Sequence, residues 1–96
     1  MTRAGVPLLV FFSSPRSGPS RRMESLIAHI AHKERERVRV VQVDVDKHAQ
    51  LAEKLAVRSV PTLVLIVDRK AVARLDGRAS APKIEEMVDR HVAVAV

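Results

Sequence analysis

Cysteine is absent from this chain of 96 residues, as are tryptophan and tyrosine, and Phe11 and Phe12 are its only aromatic residues. Without thiols there can be no disulfide, no thiolate metal site and no thiol catalysis, and cysteine usage says nothing about the redox compartment. With so few rings, the core has to be assembled from Val, Leu, Ile and Ala. A single-strand nucleic-acid platform stacks bases on exposed aromatics set beside cations, so the composition argues against a nucleic-acid partner. No apolar run reaches the ~18–20 residues that cross a bilayer, and no membrane partner is expected. The basic start Met1-Thr2-Arg3 and the apolar run from Val6 to Phe12 imitate a signal peptide. The run is short, contains Pro7 and lacks a small-residue cleavage site. It reads as a buried first strand, with a cytoplasmic location as the default expectation.

What is present describes a folded single domain. Hydrophobic residues make up 47% and charged residues 29%, ordinary values for a globular chain. A chain of this size buries roughly 60–65% of its unfolded surface, enough for a modest core without cross-links. Lys and Arg number 17 against 11 Asp and Glu, a net charge of +6, which attracts anionic partners without choosing among them. Nothing calls for a cofactor, and the oligomeric state is open.

Apolar patterning predicts seven elements. Residues 7–13 are continuously apolar, as in a central strand buried on both faces. Met23, Leu26, Ile27, Ile30 and Ala31 recur at helical spacing, predicting an amphipathic helix from Pro19 to Glu36. A second strand runs from Val38 to Val45. Asp46 is the expected N-cap of a short helix over 48–55, with Leu51, Ala52 and Leu55 on one face. Val60-Pro61-Thr62 introduces a buried strand over 63–67. Asp68-Arg69-Lys70 turns it into an exposed edge strand over 72–75 that closes at Gly77. Ser80 and Pro82 mark a last helix striped by Ile84, Met87, Val88 and His91 or Val92, and the terminal Ala-Val-Ala-Val reads as a frayed end. The order is β-α-β-α-β-β-α, an α/β fold. The first two strands must be parallel and the last two antiparallel. If the third strand is antiparallel to the first, the loops at 15–20, 46–48, 59–61 and 77–78 share one rim of the sheet.

Those loops carry a resemblance to the thioredoxin family. Ser17-Gly18-Pro19-Ser20-Arg21 stands where that family has Cys-Gly-Pro-Cys-Lys. Val60-Pro61-Thr62 resembles its loop with a cis proline, Gly77 its glycine at the end of the last strand, and Asp44-Val45-Asp46 its second-strand ending. The resemblance covers about residues 6–92. It implies one thioredoxin-like domain over 1–96, with a four-stranded mixed sheet, helices on both faces, and no counterpart of the family's N-terminal strand and helix.

The departures concern chemistry. Family members attack disulfides with a thiolate near a helix N-terminus and resolve the product with a second thiol; both thiols are serines here. The family's buried Asp is Phe11, its Lys partner is Gln42 and its Trp is Arg16. The resemblance therefore implies a redox-inactive relative. The alternative is a thiol-disulfide oxidoreductase whose two cysteines were replaced by serine. Such an exchange would leave Phe11, Gln42 and Arg16 as Asp, Lys and Trp, so natural loss is favoured.

Ser17 and Ser20 could serve as nucleophiles only with a base and an orienting group at hand. His29 and His32 lie along the long helix, His91 near the C-terminus, and His48 on a different loop. The plainer expectation is that Ser17 caps a helix and Ser20 is a solvated first-turn residue. Arg16, Arg21, Arg58 and Arg78, with Arg22 near them, could hold a small anion or glutathione at the helix start. The plainer expectation is scattered solvated arginines on a basic protein. Asp44, Asp46 and His48 have the composition of a metal site but lack a third or fourth ligand, so none is expected. The run Glu34, Arg35, Glu36, Arg37 and Arg39 reads as a solvated helix end. In the family, backbone beside the cis proline pairs with extended substrate. The resemblance thus implies a protein or peptide partner at Arg16, Ser17, Ser20, Arg21, Val60, Pro61, Gly77 and Arg78, and the basic charge of that rim suits an acidic one.

Overall fold

The computed structural model describes residues 6–92; the signal-like start at 1–5 and the terminal Ala-Val-Ala-Val lie outside the described residues. Seven elements follow one another: β1 (Leu8–Ser13), α1 (Gly18–Lys33), β2 (Arg39–Asp44), α2 (Ala49–Lys54), β3 (Thr62–Val67), β4 (Lys70–Asp76) and α3 (Ala81–His91). The four strands form one mixed sheet in the order β2-β1-β3-β4, with β1 parallel to β2 and antiparallel to β3. This is the α/β thioredoxin-like architecture that the element order and the resemblance predict.

The continuously apolar run of β1 is explained by its place in the middle of the sheet. Alternate residues feed opposite faces. Leu9 and Phe11 join Met23, Ile27 and Ile30 of α1 and Ile84, Met87 and Val88 of α3 in the larger core cluster. Val10 and Phe12 pack with Val43, Val64 and Ala52 of α2 on the other face. Both phenylalanines are fully buried, each contributing about 1.5–3 kcal/mol relative to exposure. Helices therefore cover both faces of the sheet.

Local chemistry sets the helix ends. At the start of α1, Ser17 Oγ accepts the N–H of Ser20 at 3.1 Å. Pro19 occupies the first turn, where its missing N–H leaves no bond unmade. α1 stops at Lys33, short of Glu36, because Arg37 and Val38 direct their N–H groups back to the Glu34 carbonyl in a turn. α3 repeats the serine device: Ser80 Oγ accepts from Lys83 N–H at 3.4 Å, with Pro82 in the first turn.

Two expectations need correction here. The N-cap of α2 is His48, and its side chain makes no capping bond. The Asp46 carboxylate instead reaches across to the residue that follows β1, accepting Ser14 Oγ–H at 2.7 Å. The charge run after α1 is likewise more than a solvated end. Glu34 is buried, and its Oε1 lies 2.7 Å from Arg37 Nη2, which also contacts Asp89 Oδ1 of α3 at 2.8 Å. Lys33 Nζ donates to Glu85 Oε2 at 2.7 Å. These pairs bind the end of α1 to α3, while Arg35, Glu36 and Arg39 are exposed.

β4 is longer than the apolar pattern indicates and pairs with β3 from Thr62↔Asp76 to Val67↔Lys70. Asp68 and Arg69 form its two-residue connection, both at positive φ (53° and 68°). That is the conformation of a type I′ hairpin turn, whose twist matches the strands it joins.

Candidate functional site

The register assembles the rim. Ser13 pairs with Asp44, Phe12 with Thr62, and Thr62 with Asp76, so the loops after β1 and β2, before β3 and after β4 meet at one end of the sheet. Gly77 N–H donates to the Pro61 carbonyl at 2.8 Å, and Thr62 Oγ1 donates to the Ser59 carbonyl at 2.8 Å. The Val60–Pro61 peptide is cis, and Gly77 adopts φ 85°, a left-handed conformation open to a residue without Cβ. Pro61 is buried beneath a half-buried Val60.

Ser17 and Ser20 have different environments. Ser17 is half-buried, with its oxygen engaged as the cap of α1. Ser20 is fully buried and its Oγ has no hydrogen-bond partner. The expectation of a solvated, contactable Ser20 is therefore corrected. The positions 20, 23, 27 and 30 trace one helical stripe, so the serine is turned onto the sheet with Met23, Ile27 and Ile30. Among the described residues no base hydrogen-bonds either hydroxyl. Asp46, the rim acid beside Arg16, is held by Ser14 Oγ and lies 3.8 Å from Arg16 Nε. Asp44 Oδ1 accepts the Asp46 N–H at 2.8 Å. Where the resemblance puts an acid and a lysine, Phe11 is sealed in the core and its register partner Gln42 donates to Ser13 Oγ at 3.0 Å. There is no thiol in the chain, so thiol–disulfide exchange has no nucleophile.

Arg16, Arg21, Arg58 and Arg78 are all exposed at the rim or its flanks. Arg16 contacts Asp46, whereas Arg21, Arg22, Arg58 and Arg78 form no ion pair within the described residues. Of the acids engaged in the shorter pairs, Glu34, Glu85 and Asp89 lie at the junction of α1 and α3, and Asp76, beside Gly77, is held by Arg74. No acid occupies the first turn of α1 or of α3.

Three features escaped sequence reasoning. Ser14 positions Asp46, and a polar Ser-Ser after an apolar strand was its one signal. Arg74 on β4 donates to the carbonyls of Leu55 and Ala56 at 2.8 and 3.0 Å and to Asp76, fastening the end of α2; an arginine on an edge strand gives no hint of this. The third is an open groove of ≈ 390 Å³ lined by Arg22, Met23, Leu26, Arg78, Ala79 and Ser80. It is made by residues distant in sequence. Arg22 folds back towards Gly18, where an added Cβ would lie 3.5 Å from Nη2.

A family model described as Thioredoxin matches residues 2–90. The chain is 30% identical over 86 residues to a thioredoxin of Griffithsia pacifica, covering 90% of this chain and 79% of that one. It is 29% identical over 89 residues to Thioredoxin 1 of Synechococcus elongatus, covering 93% and 83%. Among solved structures it resembles a thioredoxin of Nicotiana alata with a TM-score of 0.85 at 28% identity, covering 92% of this chain and 75% of that one. A Fasciola hepatica thioredoxin gives 0.83 at 34% identity, with 91% and 82% covered. Sheet order, rim and these matches agree, and the chain belongs to the thioredoxin family.

Proposed function

We propose that this protein is a redox-inactive thioredoxin-like module that binds an extended polypeptide segment across the rim formed by Arg16, Ser17, Arg21, Val60, Pro61, Gly77 and Arg78. One observation carries the reading. The rim keeps its backbone form through the Ser17 cap and the Gly77-to-Pro61 hydrogen bond, while the chain holds no thiol. Shape built from backbone and capping bonds does not depend on sulfur, so a surface for an extended segment outlives the chemistry. Ser20 faces the core beneath this rim and offers it no contact.

Two measurements test this. The protein should give no turnover in insulin reduction, and Ser17→Cys/Ser20→Cys should stay far below an active thioredoxin because Phe11 and Gln42 supply no proton acceptor. Robust activity of that double variant would favour an oxidoreductase stripped of its two cysteines. Reduced, alkylated insulin B chain, an unfolded probe, should shift the amide signals of Ser17, Arg21, Val60 and Gly77. If only sulfate, phosphate or glutathione shifts them, the rim is a small-anion site. If nothing does, the binding reading fails.

A further inference from the structure

The groove between α1 and the segment after Gly77 differs from the rest of the rim in its lining. Its apolar part is Met23, Leu26 and Ala79, and it carries a guanidinium on each side, Arg22 from the helix and Arg78 from the loop. Neither arginine has an ion-pair partner among the described residues. The helix that supplies Arg22 begins with no acid in its first turn, so no carboxylate there offsets the positive end of its dipole beside the arginines. Ser80, the cap of α3, also lines the groove.

We propose that this groove holds an acidic stretch of a partner polypeptide, with carboxylates on Arg22 and Arg78 and an aliphatic side chain between them over Leu26 and Ala79. The inference rests on the polypeptide-binding reading above and gives the partner a chemistry. The chemistry follows from complementarity of two kinds. Unpaired guanidinium groups favour carboxylates, to which they can donate two parallel hydrogen bonds. The apolar lining rewards a hydrocarbon side chain, which a phosphate backbone does not provide. Nucleic acid would need stacking surfaces, and both aromatic residues are fully buried.

The test uses a short synthetic peptide alternating Glu and Leu, with a control alternating Gln and Leu, titrated into isotope-labelled protein. The Glu peptide should shift the amides of Arg22, Met23, Leu26, Arg78 and Ala79, and the Gln peptide should bind about tenfold more weakly or worse. Arg22→Gln/Arg78→Gln should lose a similar factor without a change in thermal unfolding. Because Arg22 crowds a positive helix start, Arg22→Glu should abolish binding while leaving the fold as stable or more so. Equal binding of both peptides, or unchanged affinity in Arg22→Gln/Arg78→Gln, overturns the proposal. Shifts confined to Ser17, Val60 and Gly77, or no shift from either peptide, overturn the groove, while the rim reading stands or falls with the insulin B-chain titration. A single-stranded oligothymidine that binds more tightly than the Glu peptide and shifts the groove amides would assign the site to nucleic acid instead.

Discussion

Two serines three positions apart do opposite things to stability. Ser17 Oγ accepts an N–H that would otherwise have no partner at the helix start, and such caps are worth about 1 kcal/mol. Ser20 hides a hydroxyl with nothing to bond, and an unsatisfied buried polar group costs about 1–3 kcal/mol. Ser17→Ala should therefore lower the urea-unfolding free energy by about 1 kcal/mol, while Ser20→Ala should raise it by a similar amount. A loss in both variants would show that Ser20 finds a partner after all. Arg69 carries a cost of another kind, in its backbone. A side chain at φ 68° is strained where glycine is not, so Arg69→Gly should add about 1 kcal/mol. Unchanged thermal stability would mean that the turn relaxes at no cost.

Among the elements, α1 and α3 depend on ion pairs at the end of the molecule away from the rim. Arg37 has a raised pKa, chiefly through its hydrogen bond to Glu34 and then through Asp89. Replacing it by Met strands the buried Glu34 carboxylate and should cost about 1–3 kcal/mol. Lys33 is raised too, first by its hydrogen bond to Glu85 and then by that carboxylate's charge. A folded-state pKa above the unfolded one gives stability that is complete below the unfolded value and lost as pH climbs through the folded value. The ordinary value is 10.5 for Lys33, and that of an arginine such as Arg37 lies well above it. Any cost of Lys33→Met at neutral pH should thus fade as pH rises beyond 10.5, while that of Arg37→Met persists. Parallel pH profiles for the two variants would contradict this assignment. At the other end of α3, Ser80 caps a turn whose third residue is Lys83. Lys83→Glu completes a capping box and should stabilise by about 0.5–1 kcal/mol in thermal unfolding, with the gain shrinking in high salt. No gain at low salt would mean that the new carboxylate does not reach the Ser80 N–H.

For the whole molecule, the fold was legible because its elements differ in apolar period: an unbroken run in β1, helical spacing in α1 and α3, and turn residues between them. The rim was legible for the same reason, since strand direction alone decides which loops share an end. Three things were not. Polarity hid Ser20 from the apolar stripe it occupies, although its spacing to Met23 and Ile27 is that of the stripe. Asp46 looked like a cap because it precedes a helix, yet a longer-range bond to Ser14 took its carboxylate. The groove was invisible because Leu26 and Ala79 meet across more than half the chain, and only the packing of α1 beside the segment leaving β4 brings them together. Charge follows the same logic. The net +6 is a property of composition, but where it remains unneutralised depends on which acids the folded pairs have already claimed.

The hairpin turn at Asp68 and Arg69 has a practical consequence. It lies at the opposite end of β3 from Thr62, about 20 Å from the rim for a strand of this length. Both turn residues are exposed, and insertions are best tolerated at exposed loop tips. A fluorophore or an affinity tag spliced between them would report on the molecule from its far end, leaving the rim and the arginine groove free. For a protein with neither tryptophan nor tyrosine to serve as an intrinsic probe, that turn is the place to make it visible.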